Sequence, residues 1–189
     1  MPPCPDHTTC LDTLASIGGK CCGTMAPMRI HARNDFAADP ATTHAMLSDP
    51  VFLGEVCVAS GDLEHRVDAT PHLSAVERTM RTPSAVSGLL GESLTLLQAL
   101  RWNAPDADGA RTGRLELTVK GMPARAEVEV NLRPGGRGTL IDFDGEFTIK
   151  VPLVGKSLEA KAAPALTEGF SMQQRVGDRW LAARAGEPT

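Results

Sequence analysis

Tyrosine is absent from this 189-residue chain, and aromatic residues make up only 4% of it. That scarcity argues against a carbohydrate site, an aromatic-rich interface or a single-strand nucleic-acid platform, all of which depend on stacked rings. Basic charge is also thin. A net charge of −4 and a pI near 5.7 provide no concentrated cationic face for phosphate, so nucleic acid is not an expected partner. No run of about 18 apolar residues is present, which excludes stable insertion as a membrane-spanning helix. The start of the chain lacks the basic and apolar regions of a secretory signal, Lys20 being the only Lys or Arg before Arg29. With an odd number of cysteines, five, reduced thiols and a cytoplasmic location are expected. The Gly-x-Ser-x-Gly elbow, the P-loop, a Gly-x-Gly-x-x-Gly turn after a strand and His-Glu-x-x-His are all missing, and no cofactor is expected.

What is present is enough for one domain: 42% hydrophobic and 22% charged residues over a length that buries a sizeable core. Residues 1–27 read as a disordered leader, with Pro2-Pro3, Gly18-Gly19 and Cys21-Cys22-Gly23 and no sustained apolar period, and 185–189 as a disordered tail; the domain is expected over 28–184. Cys4, His7, Cys10, Cys21 and Cys22 offer soft ligands, but their spacing fits no tight zinc knuckle, and no metal site is expected.

From Arg29 the chain alternates, with Ile30, Ala32, Asn34 and Phe36 on one face, as a half-buried strand does. Asp39-Pro40 and Asp49-Pro50 each pair an N-cap with a proline at the first helical position, predicting two short helices. Six further strands are predicted over Asp62–Ala69, His72–Thr82, Leu94–Asn103, Gly113–Gly121, Ala124–Arg133 and Thr139–Val151. The short connectors Gly121-Met122-Pro123 and Pro134-Gly135-Gly136-Arg137-Gly138 make the last three antiparallel hairpins. Gly145, inside the last strand, marks an expected bend or bulge. The irregular apolar segment Pro83 to Gly91 reads as a partly helical flap, serving either as a lid or as a homodimer contact. After Pro152 the period becomes helical, through Leu158, Ala162, Ala165, Leu166, Gly169, Met172, Val176 and Trp180, with a kink expected near Pro164.

This order of elements resembles the START-like superfamily, also described as SRPBCC or helix-grip: an α+β fold with a seven-stranded curved antiparallel sheet wrapped around a long C-terminal helix, and two short helices after strand one. The stretch from Gly138 to Glu159, above all Lys150-Val151-Pro152-Leu153-Val154-Gly155, resembles an uncharacterised actinobacterial domain family within it. The resemblance implies a hydrophobic tunnel between sheet and helix, used across the superfamily for lipids, sterols, polyketides and plant hormones, and in some branches for cyclase or dehydratase chemistry.

The small residues Ala162, Ala165 and Gly169 on the sheet-facing stripe leave space for such a cavity. Its expected lining is Leu100, Trp102, Phe143, Phe147, Leu166 and Gly169, and the polar residues at inward positions, Asn34, His65, Glu77 and Gln98, would orient a ligand. His65 with Glu77 as its partner on the adjacent strand is the one acid–base pair to weigh, against the simpler reading of an ordinary sheet-end histidine. Asp142, Asp144 and Glu146 lie at period two on an extended strand and read as a solvated acidic row, not a calcium loop. Cys57 reads as core. The expected partner is therefore a hydrophobic small molecule, lipid or polyketide-like, and binding is favoured over two alternatives, a polyketide cyclase- or dehydratase-like enzyme and a non-catalytic interaction protein whose own side chains fill the core.

Overall fold

In the computed structural model, which describes residues 27–82, 84, 87, 88, 91–151, 153 and 155–185, the elements follow one another as strand β1 (Met28–Phe36), helices α1 (Pro40–Leu47) and α2 (Pro50–Ala59), strands β2 (Glu64–Ala69), β3 (Leu73–Arg81), β4 (Ser93–Trp102), β5 (Arg111–Val119), β6 (Ala124–Gly135) and β7 (Gly138–Ile149), and helix α3 (Gly155–Ala185). The seven strands form one antiparallel sheet in the order β1-β7-β6-β5-β4-β3-β2. Every strand from β2 to β7 therefore pairs with its sequence neighbour, and β1 closes against β7 across more than a hundred residues. This is the helix-grip architecture. Residues 1–26 of the leader, most of the Pro83 to Gly91 flap, Pro152, Val154 and residues 186–189 of the tail lie outside the described residues; within the flap Ser84, Ser87 and Gly88 are helical.

Two acidic caps start the short helices. Asp39 accepts from the Ala41 and Thr42 amides at 2.9 and 3.0 Å, and Asp49 from Val51 and Phe52 at 2.7 and 3.2 Å. Each satisfies amides that the first turn cannot pair internally. The β6–β7 hairpin turns through Gly136, whose φ of 58° is the left-handed conformation a two-residue hairpin loop requires. No bulge occurs at Gly145. The β1–β7 and β6–β7 registers run through it without an inserted residue, and a Cβ there would come within 2.2 Å of the Glu127 carbonyl oxygen, so glycine serves a close strand approach.

All seven aromatic residues, five Phe and two Trp, are buried. Phe36 and Phe52 are wholly enclosed; Phe52 meets Trp180 edge-on at 5.6 Å, and Phe143 meets Phe170 at 4.4 Å. Few rings are needed because each one is used in the core.

Helix α3 is fastened to the sheet at both ends. Near its start, the buried Glu159 accepts from the Ile149 amide at 2.8 Å. In its second half, the Gln174 amide accepts from Asp35 N at 2.7 Å and donates to Asp35 O at 2.8 Å, answering the outer edge of β1 as a strand would. Asn34 donates to the Phe170 carbonyl and to Gln173 at 3.3 Å. Gly177 lets helix and strand touch, since a Cβ there would lie 2.4 Å from the enclosed Phe36 ring. Pro164 sits inside the helix at an exposed position.

On the outer face, the acidic row of β7 is not simply solvated. Arg29 reaches Asp144 at 2.6 Å, and Arg33 and Arg133 hold Asp142 at 2.5 and 3.0 Å. Burial would raise the Asp142 carboxyl, but its hydrogen bonds to Arg33 and Arg133 outweigh that and hold it below the usual range.

Candidate functional site: an apolar cavity between sheet and helix

The alternation of the strands sends one set of side chains toward α3: Val76, Arg78 and Met80 from β3, Leu94, Leu96, Gln98 and Leu100 from β4, and Leu115, Leu117 and Val119 from β5. On the β1 side of the sheet Phe36, Val130, Leu132 and Ile141 pack solidly against the second half of α3 and the short helices. Over β3 to β5 the first half of α3 presents Ala162, Ala165 and Gly169, too small to fill the gap. A Cβ on Gly169 would meet nothing within 4 Å. The result is a cavity of 330 Å³, with α2 contributing Leu53, Val56 and Cys57 at one flank. Its volume falls within the usual small-molecule range of about 300–1,000 Å³. A larger trough of 740 Å³ on the outer face is walled in part by paired charges, among them Arg125 with Glu127 at 2.9 Å and Arg29 with Asp144 at 2.6 Å.

Charge is scarce on the cavity wall. Among the described residues, Arg78 and Glu168 are the charged ones that line it. Glu168 is exposed at the rim and bound to Arg175 at 2.5 Å. Arg78 is different. Its Nη2 donates to Asp62 Oδ1 at 2.7 Å, and its Nε lies 2.7 Å from Oδ2 without hydrogen-bond alignment. The Asp62 side chain is wholly enclosed and that of Arg78 is 11% exposed. This ion pair was not legible in the sequence: Glu77 and Arg78 are adjacent, and either could have taken the inward phase. Burial pushes the Cys57 thiol beside it up to about 11, with Arg78 opposing and Asp62 reinforcing the rise, so it stays protonated at neutral pH.

Of the residues singled out in the sequence, Gln98, Leu100, Phe143, Phe147, Leu166 and Gly169 line the cavity. Trp102 is buried beyond its lining and meets the His44 ring edge-on at 5.4 Å. Asn34 is buried in the β1–α3 junction. Glu77 points the other way. It stands on the outer face and reaches Lys120 at 3.6 Å. His65 shares the inner face with its cross-strand partner Arg78, but on edge strand β2 it is exposed, with Nε2 near Gly54 of α2; Glu77 faces Arg66. The structure thus does not bring His65 and Glu77 together. Residues missed in the sequence are Arg78, Asp62, Phe170 and Gln173; Phe170 was discoverable as the position one helical turn after Leu166. Among the described residues no group of three or more His, Cys, Asp or Glu could hold a metal ion, and the cysteines and histidine of the leader lie outside them.

This geometry has known counterparts. Residues 31–181 match the family described as "Protein of unknown function (DUF2505)". The chain belongs to that family. No curated protein matches it. Among solved structures, a protein from Thermus thermophilus is similar at a TM-score of 0.59 and 15% identity, over 85% of this chain and 100% of that one. A protein from Rhodobacter sphaeroides is similar at 0.53 and 21%, over 82% and 92%. A Mycobacterium smegmatis protein described as belonging to the START superfamily is similar at 0.48 and 16%, over 81% and 98%. The DUF2505 chain thus shares with the Thermus and Rhodobacter proteins the helix-grip fold expected of it. Among its described residues no helix is long and apolar enough to cross a membrane.

Proposed function

We propose that this DUF2505 domain binds or carries a hydrophobic small molecule, lipid or polyketide-like, in the cavity between β3–β5 and the first half of α3. The observation that carries the reading is the 330 Å³ space itself, walled by Leu, Val, Met and Phe side chains and left open because α3 presents Ala162, Ala165 and Gly169. A packed core would place large side chains at those three positions, as it does at Val176 and Trp180 farther along the same helix. The acid–base pair weighed from the sequence is not available in the cavity, His65 being on the edge strand and Glu77 on the outer face, although Gln98 does face it. The reading favours a carrier or sensor, working in the cytoplasm and without a nucleic-acid partner, over an enzyme.

Native mass spectrometry of the full chain purified from its own host tests this. An adduct lost on organic extraction supports the reading and names the ligand class. A clean apo mass together with no uptake of a fluorescent fatty acyl probe or of N-phenyl-1-naphthylamine would sink it.

A further inference from the structure

Resting on that reading, we infer that the cavity selects an uncharged amphiphile, one whose polar end is a hydroxyl, carbonyl or ester, over an ionised carboxylate of the same chain. The polar end would meet the corner formed by Arg78 and Gln98. These residues are diagonal neighbours on adjacent strands, since Arg78 lies opposite Leu96 and Gln98 opposite Val76, and both line the cavity. The guanidinium looks at first like a carboxylate receptor. Asp62 already supplies the counter-charge: its Oδ1 accepts from Nη2 at 2.7 Å, its Oδ2 lies 2.7 Å from Nε in an ion pair without hydrogen-bond alignment, and its side chain has no solvent exposure.

The corner is therefore a neutralised ion pair flanked by the neutral groups of Gln98, Ser60 and a protonated Cys57 thiol. A ligand carboxylate would bring a second negative charge beside the enclosed Asp62, in a wall whose described residues offer no other cation; Glu168, at the rim, is negative as well. Its lost hydration would go unanswered. A hydroxyl or carbonyl asks only for a hydrogen bond, which the Gln98 amide and the unused N–H groups of Arg78 can supply.

The test uses the full chain with N-phenyl-1-naphthylamine, which is uncharged at pH 8, displaced by 1-dodecanol or by dodecanoate. The expected result is that dodecanol displaces the probe at a concentration about tenfold lower or less. Dodecanoate displacing it as well as dodecanol, or better, overturns the inference and leaves the cavity reading standing. No probe uptake, together with a clean apo mass, removes both. Asp62→Asn keeps the shape and an acceptor for Arg78 but uncovers its charge. In the folded variant dodecanoate should tighten by about tenfold while dodecanol hardly moves, and an unchanged dodecanoate affinity places the polar end away from Arg78. The wild-type comparison decides the matter even where that variant does not fold.

Discussion

His44 shows how a single buried side chain ties stability to pH. It lies on α1 with 7% of its surface exposed, donates from Nε2 to the Pro71 carbonyl at 3.0 Å and packs edge-on to Trp102. Burial and the nearby Arg111 charge hold its pKa below the ordinary histidine value, only partly offset by the Pro71 hydrogen bond. The unfolded chain, titrating near about 6.5, therefore takes up the proton first as pH falls. The contribution of His44 is complete above that value and drains away below it, toward the lower folded-state pKa. Thermal melts between pH 7.5 and 5.5 should show the wild-type Tm falling more steeply than that of His44→Gln. Parallel profiles would mean that His44 can be protonated in place. The lowered carboxyls of Asp39 and Asp142 act in a separate, more acidic window, their stabilisation present above the unfolded carboxylate pKa and lost as pH drops through the folded one.

At the scale of elements, α1 and α2 span 8 and 10 residues, too short to be stable by propensity alone. Caps and packing hold them. Asp39 binds the Ala41 and Thr42 amides and the Thr42 hydroxyl, the last at 2.7 Å. Asp39→Ala should cost about 1 kcal/mol, read as a Tm lower by about 2–4 °C; no change would show that the Pro40 turn and the buried Met46 and Leu47 suffice without the cap. These helices, both started by Asp-Pro, were legible to within a residue or two. So were β5, β6 and β7, where Leu115, Val128 and Phe143 alternate cleanly with charged neighbours. Strand β3 was not. Its Glu77-Arg78 dipeptide breaks the alternation, and only pairing with β4 decides that Arg78 turns inward and Glu77 outward.

At the scale of the whole molecule, α3 divides its work along its length. Val176, Gly177 and Trp180 seal the β1 side, and Arg184 stacks over Trp180 beyond them. The first half leaves the cavity. Gly169→Leu tests that division, because it replaces a helical glycine and fills open space at once. The variant should be more stable by about 0.5–1 kcal/mol from helix propensity alone. Its affinity for N-phenyl-1-naphthylamine should fall by about tenfold or more. A gain in stability without a loss of binding would place the ligand away from the first half of α3.

Composition, period and turn chemistry by themselves determined the element order, the hairpins of β5 to β7, the inner face of those strands and the small-residue stripe on α3, because each follows from local spacing of a few residues. The tertiary structure alone decided what the polar residues do. Asn34 became a strut because Phe170 and Gln173 stand over it, and Arg78 became the charged group of the cavity wall because the turn after α2 delivers Asp62 to it across 16 positions of chain. Those outcomes depend on which distant segment supplies a counter-charge or hydrogen-bond partner in a site closed to water, and alternation along one strand carries no information about that.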